Sequence, residues 1–457
     1  MILNFLKVGP LSNSFIIVCK FIYAMLKNVV FTICSKNYLG LAQTLEKSLI
    51  QHNSELDFFI FIADEYSNDD IINLPANVFL AKNVLPFSEE EWKELSFKYT
   101  LVEFCTAIKP FCFTYIFESL NRSKIIFLDP DVFVFNSLNS VFKNLETYCI
   151  ILTPHILTIE DNYSGDFWEN IFLSVGTFNL GFIALKRSKS SDKMLSWWRH
   201  KLKNECYVDE FNHTATDQKW IIFLPMFFNA ETLHISHDLG LNVATWNFYE
   251  REILEKDNTL YVKNRILNDG NITPLIFVHF SNYNYLELKS GIVRHYSLRN
   301  DYIDLKIVFD KFIIALQKSD IEKYISLKYS YNFFNNGDSI SLINRRFYRR
   351  LKDEGEAITD PFNVKEGSYY NRLKKRGLIT KNIIPFNRLG IKTEKDKKND
   401  LILVINFIMR VLKTLIGINK YYNFIISYRK YLRPENQIHL LDNKRTNKYS
   451  NFSHHQE

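Results

Sequence analysis

The feature that most constrains the fold is a strand–helix–strand pattern near the start of the sequence. Residues 29–34 and 57–63 are apolar runs of strand length, and Leu41, Leu45 and Leu49 recur between them at helical spacing. This pattern is typical of a βαβ unit, in which a right-handed helical crossover joins two parallel strands. The sequence therefore predicts an α/β fold with a mostly parallel central sheet flanked by helices.

Two carboxylates stand at the end of a further apolar strand. Residues 125–128 are apolar, and Asp129 and Asp131 follow, separated by Pro130. Proline biases the preceding residue toward extended backbone, in which side chains two positions apart point the same way. Converging aspartates repel each other unless a cation or basic side chain lies near them. Carboxylate oxygens suit Mg²⁺ or Mn²⁺, although a D-x-D pair alone also occurs in solvated turns.

Polar residues follow each of the three predicted strands. They are Ser35, Asp64 and Asp129. Because ligands of open α/β sheets bind beyond the carboxyl ends of the strands, we expect these residues to border one crevice. Helices are predicted over residues 99–120 and 193–202, and further strands over 177–185 and 276–280.

The composition is that of a folded protein with a mild basic excess. The 457 residues are 47% hydrophobic and 15% aromatic, with a formal net charge of +7. The charge is compatible with phosphate-bearing ligands or an anionic membrane surface, and no dense basic stripe or known module indicates nucleic acid as a partner. The six cysteines form no C-x-x-C pair, which favours buried thiols in a reducing, cytoplasmic compartment.

The sequence predicts one large domain with smaller parts around it. The predicted parts are an N-terminal extension (1–28), a catalytic domain (29–305), a helical, basic-aromatic extension (306–391), a charged linker (392–400) and an amphipathic basic tail (401–457). The N-terminal extension is expected to pack on the domain or lie on a membrane, and a secretory signal is the alternative.

The C-terminal part contains two features that suggest surface binding. Residues 345–350 (RRFYRR) form a basic-aromatic cluster. In residues 401–418, Asn406, Arg410 and Lys413 fall on one helical stripe that Lys420 extends, opposite a wide apolar face. This pattern predicts an interfacial helix on an anionic leaflet, and packing of the same face on the catalytic domain is the alternative.

KIIFLDPDVFVF (124–135) resembles the metal-binding D-x-D strand of nucleotide-sugar glycosyltransferases of the Rossmann-like GT-A fold, with a layout similar to family 8. Six other stretches resemble this family in the same order: 31–49, 106–111 (TAIKPF), 176–185 (GTFNLGFIAL), 216–221 (TDQKWI), 242–247 (NVATWN) and 278–282 (VHFSN). Together they cover roughly residues 29–300 and are similar to bacterial enzymes of surface-polysaccharide and lipopolysaccharide assembly. The resemblance implies a GT-A domain with a helical C-terminal extension.

The resemblance also implies roles for individual residues. Asp129, Asp131 and His279 would bind Mn²⁺ or Mg²⁺, with Asp129 also contacting the donor ribose. Other donor-binding positions would be Ser35, Tyr38 and Asp64 near the base, Lys109 near the phosphates or sugar, and Gly181 beside the sugar. Catalytic positions would be Asn179, Asp217 and Gln218, and Trp246 and Asn247 would line the sugar or acceptor pocket.

The sequence departs from the family 8 pattern after the histidine. Asn282 occupies the position of a glycine, and the lysine that grips the pyrophosphate in the family has no counterpart. Lys289, Arg294 and His295 are the nearby cations that could replace it.

The resemblance implies transfer from a nucleotide-diphosphate sugar to a glycan or lipid-linked acceptor, with retention of configuration. The C-terminal part predicts a peripheral location at the inner face of the cytoplasmic membrane. An inverting enzyme of the family 2 type is the alternative within this class. A sugar nucleotidyltransferase is disfavoured because residues 35–41 (SKNYLGL) lack a glycine-rich loop. A non-catalytic membrane-associated scaffold, with the basic-aromatic segment as its working part, is the alternative from another class.

Overall fold

The computed structural model describes residues 28–66, 74–267, 269–379 and 395–442. The N-terminal extension predicted for residues 1–28 therefore lies almost entirely outside the described residues. The strands are β1 (Val29–Cys34), β2 (Asp57–Ile62), β3 (Val78–Leu80), β4 (Lys124–Leu128), β5 (Val132–Val134), β6 (Ile150–Pro154), β7 (Phe178–Lys186), β8 (Val208–Asp209), β9 (Thr214–Ala215), β10 (Leu233–Ile235), β11 (Val243–Ala244), β12 (Arg251–Lys256), β13 (Thr259–Asn264), β14 (Ile272–Pro274) and β15 (Phe277–His279).

The helices vary from one turn to six. They are α1 (Leu39–His52), α2 (Ala81–Val84), α3 (Glu89–Lys98), α4 (Leu101–Ala107), α5 (Lys109–Glu118), α6 (Asn139–Thr147), α7 (Ile171–Val175), α8 (Lys189–Glu205), α9 (Gln218–Ile221), α10 (Leu224–Phe227), α11 (Tyr285–Lys289), α12 (Lys306–Gln317), α13 (Ile321–Ile325), α14 (Leu342–Asp353), α15 (Tyr369–Lys375), α16 (Lys395–Ile416) and α17 (Ile418–Tyr431). Short 3₁₀ helices cover Lys36–Tyr38, Ile303–Leu305, Ser330–Asn332 and Pro434–Leu440.

The chain forms two compact units. The first unit consists of the chain up to Pro86 together with Leu101–Tyr329. It therefore extends beyond residue 305, the predicted end of the catalytic domain. The second combines Phe87–Thr100 with the chain from Ser330 onward. The second unit is therefore built from two pieces that lie far apart in the sequence.

A seven-stranded sheet organises the first unit. Its strand order is β10-β6-β7-β4-β1-β2-β3, and β7 runs antiparallel to both of its neighbours while the other pairs are parallel. Helices α1, α4 and α6 pack against its strands. The predicted α/β class, with a mostly parallel central sheet flanked by helices, is confirmed.

The predicted strands are buried as their apolar runs require. All six residues of β1 are buried, as are the last four residues of β4. Strand β7 is buried along eight of its nine residues, because it lies in the middle of the sheet. The prediction of a single helix over 99–120 is wrong, because Ile108 separates α4 from α5. Pro110 is the second residue of α5, a position at which a helix tolerates proline.

A smaller sheet brings two distant parts of the chain together. Its order is β11-β15-β5, and antiparallel pairing of β15 with β5 sets His279 opposite Val132. The Phe280 amide donates a hydrogen bond of 2.9 Å to the carbonyl of Asp131. This pairing fixes the end of β15 beside the loop that follows β4.

The second unit surrounds a buried arginine. The Arg345 guanidinium donates to the carbonyl oxygens of Ser96, Phe97 and Tyr99 at 3.1, 2.6 and 2.8 Å. It also donates to the carbonyl oxygen of Tyr331 at 2.6 Å and to Asn332 Oδ1 at 2.9 Å. One cation thus ties the end of α3 to the start of the later piece.

The basic-aromatic cluster is not a surface feature. Arg345, Arg346, Phe347, Tyr348 and Arg349 are all buried in α14. The interpretation of this cluster as the working surface of a membrane scaffold is therefore wrong. Its cations are buried because backbone carbonyls and Glu435, which lies 3.3 Å from Arg349, provide their partners.

The amphipathic tail forms two helices rather than one continuous stripe. Gly417 has φ +78° and separates α16 from α17, so Lys420 lies on a different helix from Arg410 and Lys413. Part of the predicted charged linker, from Lys395, belongs to α16. Among the described helices, none combines the length and the apolar character needed to span a bilayer.

Candidate metal and donor-binding site

Three potential metal ligands converge at the carboxyl edge of the large sheet. The loop after β4 provides Asp129 and Asp131, and the end of β15 provides His279. His279 Nε2 lies 3.0 Å from Asp131 Oδ1 and 3.7 Å from Asp129 Oδ2. Two carboxylate oxygens and one imidazole nitrogen, all within 4.8 Å of one another, could hold a divalent ion.

The three groups perturb one another electrostatically. Withdrawal from water raises the pKa of Asp129 to about 6, and the Asp131 and Asp217 carboxylates oppose its ionisation further, whereas Lys109 and His279 favour it. For His279, burial lowers the pKa, but the two aspartates outweigh burial and raise it overall. Such mutual dependence is expected where two carboxylates and basic side chains lie close together in a buried position.

Glycine is required opposite the imidazole. A Cβ on Gly181 would lie 2.3 Å from His279 Cε1 and 2.8 Å from Asn179 Oδ1. The Gly181 carbonyl also accepts a 2.9 Å hydrogen bond from the Asp129 amide. The predicted Asn179 and Gly181 are thus placed directly beside the metal-ligand group, on strand β7.

A buried polar network fixes Asn179. Its Oδ1 accepts from the amide of Gly181 at 3.0 Å and from Asn242 Nδ2 at 3.1 Å, while its Nδ2 lies 3.4 Å from His155 Nε2. Asn242 Nδ2 also donates to Thr153 Oγ1 at 2.9 Å. Contacts to both Oδ1 and Nδ2 therefore fix the orientation of the Asn179 side-chain amide.

Two tyrosines complete one wall of the site. The Tyr285 hydroxyl donates to Asp131 Oδ2 at 2.9 Å and to the carbonyl oxygen of Phe280 at 3.0 Å. The Tyr38 ring meets the Tyr285 ring edge-on at 5.9 Å. Burial and the Asp131 charge raise the pKa of Tyr38 to about 12, so its hydroxyl is protonated at neutral pH.

Lys109 and Asp217 form a buried ion pair. Lys109 Nζ donates to Asp217 Oδ2 at 2.5 Å and to the Leu180 carbonyl at 2.9 Å, and the two side chains are 2% and 3% exposed. The ammonium also lies 4.1 Å from the centre of the Phe127 ring. The structure thus places Lys109 against Asp217, the residue expected on the acceptor side.

The remaining predicted donor-side residues line the ends of β1 and β2. Ser35 Oγ donates to Asn37 Oδ1. Asp64 is buried and accepts from the amides of Lys36 and Glu65 at 3.4 and 2.9 Å. These contacts hold the two strand-end loops together.

Other predicted positions serve the framework. Gln218 Nε2 donates to the Val175 carbonyl at 2.9 Å. Asn247 donates to the carbonyl oxygens of His155 and Asn242, both at 3.1 Å. Trp246, by contrast, meets the His279 ring edge-on at 5.3 Å and so packs beside the metal-ligand group.

The proposed substitutes for the phosphate-gripping lysine differ in position. Lys289 Nζ bonds the Ser319 carbonyl and lies 3.2 Å from Glu322 Oε2. His295 is packed among aromatic rings, 4.8 Å from Tyr283, and burial lowers its pKa. Arg294 is exposed.

Sequence reasoning missed three residues of the site. Tyr285, His155 and Asn242 each contact a predicted residue. Asn242 has φ +56°, but a left-handed asparagine cannot be recognised in a sequence. A histidine directly after β6 was a weak signal, since it stands at the same sheet edge as the aspartates.

No known protein-family profile matches the chain. The uncharacterised protein YfnD of Bacillus subtilis (strain 168) is 22% identical over 290 residues, which is 63% of this chain and 88% of YfnD. The uncharacterised protein YfnF of the same organism is 24% identical over 271 residues, 59% of this chain and 86% of YfnF.

The solved structures to which the chain is similar include glycosyltransferases. For galactosyltransferase LgtC, solved with donor and acceptor sugar analogues, identity is 14%, coverage 64% of this chain and 96% of LgtC, and TM-score 0.38. For glycosyltransferase GlyE of Streptococcus pneumoniae TIGR4, identity is 13%, coverage 67% of this chain and 66% of GlyE, and the TM-score 0.32.

Proposed function

We propose that the protein is a metal-dependent glycosyltransferase of the GT-A type, which moves a sugar from a nucleotide-diphosphate donor to a glycan or glycolipid acceptor. The observation that carries the proposal is the convergence of Asp129, Asp131 and His279 at the carboxyl edge of a mostly parallel sheet. This is the edge at which open α/β sheets bind their ligands. The ordered motif resemblance supports the same class, and a role in surface-polysaccharide or lipopolysaccharide assembly.

The residues present fit a divalent ion. Asp131 Oδ1 and His279 Nε2 face each other at 3.0 Å, and the donor set of two carboxylates and an imidazole suits Mn²⁺ or Mg²⁺. Such an ion, when bound, supplies positive charge that stabilises a departing diphosphate. Tyr285 orients Asp131 for this role through its hydroxyl.

The neighbouring residues are assigned to the sugar. Asn179 is fixed by its network and lies beside Gly181, where bare backbone permits close approach of a ring. Asp217 orients the sugar and acceptor, and Lys109 is its buried ion-pair partner. Replacement of Asp217 by asparagine is expected to lower kcat more than it raises the KM for donor.

We infer a retaining mechanism, in which the departing phosphate takes the proton of the acceptor hydroxyl. An inverting enzyme would need a carboxylate base on the acceptor side, whereas Asp217 there is already held by Lys109 at 2.5 Å. Determination of the anomeric configuration of the product distinguishes the two, and an inverted product would contradict the retaining mechanism.

Thermal-shift screening of common nucleotide sugars tests the class and the cofactor together. We expect one donor to raise the thermal midpoint of the protein in the presence of Mn²⁺ but not in the presence of chelator. The protein should also hydrolyse that donor slowly, and only when the metal is present. The Asp131→Asn variant is the control, because it removes one carboxylate of the proposed metal site while it keeps the size of the side chain. Purified protein with neither donor stabilisation nor hydrolysis would favour the non-catalytic scaffold.

We also propose that α16 attaches the protein peripherally to an anionic, cytoplasmic membrane face. Four apolar side chains on one stripe are exposed by 42–76%: Val404, Phe407, Val411 and Leu415. Arg410 and Lys413 lie on the opposite, polar face of α16, which is the arrangement of an interfacial helix. Phe407→Ser with Leu415→Ser should reduce sedimentation with anionic vesicles while donor hydrolysis persists, and unchanged sedimentation would contradict the assignment.

A further inference from the structure

The first unit carries an aromatic surface formed by residues other than the predicted metal ligands. It consists of Trp197 on α8, Trp220 on α9, and Phe223, Met226 and Phe227 at α10. The Trp197 ring lies 6.3 Å from Trp220 and 5.3 Å from Phe227, and Phe227 stacks on Phe223 at 5.9 Å. The rings therefore form one continuous surface.

The aromatic surface faces solvent. Met226 is 69% exposed, Phe227 53% and Phe223 38%. Leu224, on the same short helix, is fully buried and anchors α10 to the unit. Contiguous exposed apolar patches with a polar rim are typical of protein or membrane interaction sites.

Basic side chains border the aromatic surface. Lys193, His200 and Lys201 occupy positions i−4, i+3 and i+4 relative to Trp197, so they share its face of α8. Lys201 Nζ lies 4.8 Å above the Trp220 ring and 3.4 Å from Glu205. Aromatic rings bordered by lysines are complementary to the interface of an anionic bilayer, where rings enter the headgroup layer and cations meet lipid phosphates.

The aromatic surface is tied to Asp217 through α9. Asp217 is the residue directly before this helix, and Trp220 lies three positions further along. The Trp220 indole donates to the Glu205 carbonyl at 3.2 Å, which fixes its ring. A surface that contacts a bilayer here would hold the Asp217 side of the site near that bilayer.

We propose that the aromatic surface docks on an anionic phospholipid bilayer, where it presents the Asp217 side of the site to sugars displayed on lipids. The consequence for acceptor use rests on the proposed function, whereas bilayer docking does not. Vesicle binding can be measured without donor, so failure of one is distinguishable from failure of the other.

The first test uses vesicles of phosphatidylcholine and phosphatidylglycerol in equal parts. The variant F223S/M226S/F227S should bind roughly tenfold or more weakly than the wild-type chain. Ile303→Ser is the matched control, because Ile303 is 81% exposed on a different element of the same unit. Both variants should retain the thermal midpoint and Mn²⁺-dependent donor hydrolysis of the wild type.

The second test separates the aromatic surface from α16, which contains no tryptophan. In a W168F background, vesicles with brominated acyl chains should quench the intrinsic fluorescence. The further substitutions W197F and W220F should remove most of that quenching, since Trp92, Trp198 and Trp246 are buried.

Two outcomes would overturn the proposal. One is vesicle binding and quenching that are unchanged by the substitutions in the aromatic surface. The other is a concentration-dependent dimer of the wild type that F223S/M226S/F227S converts to monomer, which would assign the surface to a second copy of the chain. Preference for phosphatidylglycerol over pure phosphatidylcholine, reduced by Lys193→Gln, would support it.

Discussion

His279 is held in position by a residue that has no side chain. Because a Cβ on Gly181 would lie 2.3 Å from His279 Cε1, Gly181→Ala is expected to displace the imidazole and weaken Mn²⁺ binding at least about tenfold. Isothermal titration with Mn²⁺ measures this change. Ile303→Ala is the control in the same unit, since Ile303 is 81% exposed on a different element. Equal Mn²⁺ affinity in Gly181→Ala and wild type would show that the imidazole does not bind the ion.

His155 makes the stability of the fold sensitive to acid. Burial lowers the pKa of His155 to about 4, against an ordinary value of 6.5. Between these values the unfolded chain takes up a proton that the folded chain does not, so stability present above pH 6.5 is lost as the pH falls. The loss between pH 7.5 and 5 is on the order of 2 kcal/mol.

Chemical denaturation at the two pH values measures this loss. His155→Phe keeps the ring that stacks on Phe172 but cannot be protonated, so its decrease in unfolding free energy should be smaller by about the same amount. An identical decrease in both proteins would assign the acid sensitivity to other groups.

The sequence was informative about residues that are neighbours in the chain and uninformative where distant pairing decides. Asp129 and Asp131 converge, but the extended backbone predicted around Pro130 is wrong: the segment is a turn, in which the Val132 amide donates to the Asp129 carbonyl at 3.1 Å. The addition of His279 required a resemblance, because only the pairing of β15 with β5 brings it there. The pairing of Lys109 with Asp217 could not be predicted, since neither residue carries a local signal for the other.

Among the elements, the 3₁₀ helix Pro434–Leu440 and α14 depend on one buried ion cluster. Glu435 lies 3.3 Å from Arg349 and 3.8 Å from Arg346, and all three side chains are at most 10% exposed. Glu435→Gln would remove the carboxylate that lies closest to the guanidinium of Arg349 and within 3.8 Å of that of Arg346. We expect it to lower the unfolding free energy of the second unit by about 3 kcal/mol.

Thermal denaturation measures the effect of Glu435→Gln. Glu366→Gln is the matched control in the same unit, because Glu366 is exposed. A thermal midpoint as high as that of Glu366→Gln would show that the second unit does not depend on the Glu435 carboxylate for its stability. The same cluster makes truncation before α16 a poor test of membrane binding, since it would remove Glu435 as well.

Elements were predictable where apolar period and backbone preference agreed. Strands β1, β2, β4 and β7 follow their apolar runs closely. Helix α14 was misread because its arginines suggested a solvated face, whereas the carbonyl acceptors that bury Arg345 come from residues about 250 positions earlier. Sequence patterns report the charge of a side chain but not the acceptors that a fold brings to it.

At the scale of the whole molecule, the proposed metal site belongs to one unit only. Asp129, Asp131 and His279 all lie in the first unit. Because an ion that binds only the folded state stabilises it, Mn²⁺ at a hundredfold excess over its Kd should stabilise that unit by about 2.7 kcal/mol.

Calorimetry with Mn²⁺ and with chelator measures this stabilisation. Glu435→Gln marks the transition of the second unit, and Asp131→Asn should abolish the effect of Mn²⁺ on the first. A transition of the first unit that is insensitive to Mn²⁺ in the wild type would contradict the metal site.

The division of the second unit also matters while the chain is being made. Helix α3 buries Trp92, Leu95 and Phe97, and the Trp92 indole bonds the Tyr331 hydroxyl 239 positions later. At roughly 5–20 residues per second, the ribosome needs on the order of 10–50 s to supply that partner. During this interval the apolar face of α3 is exposed on the nascent chain. A chaperone could bind this face then, whereas in the folded protein the same face is buried.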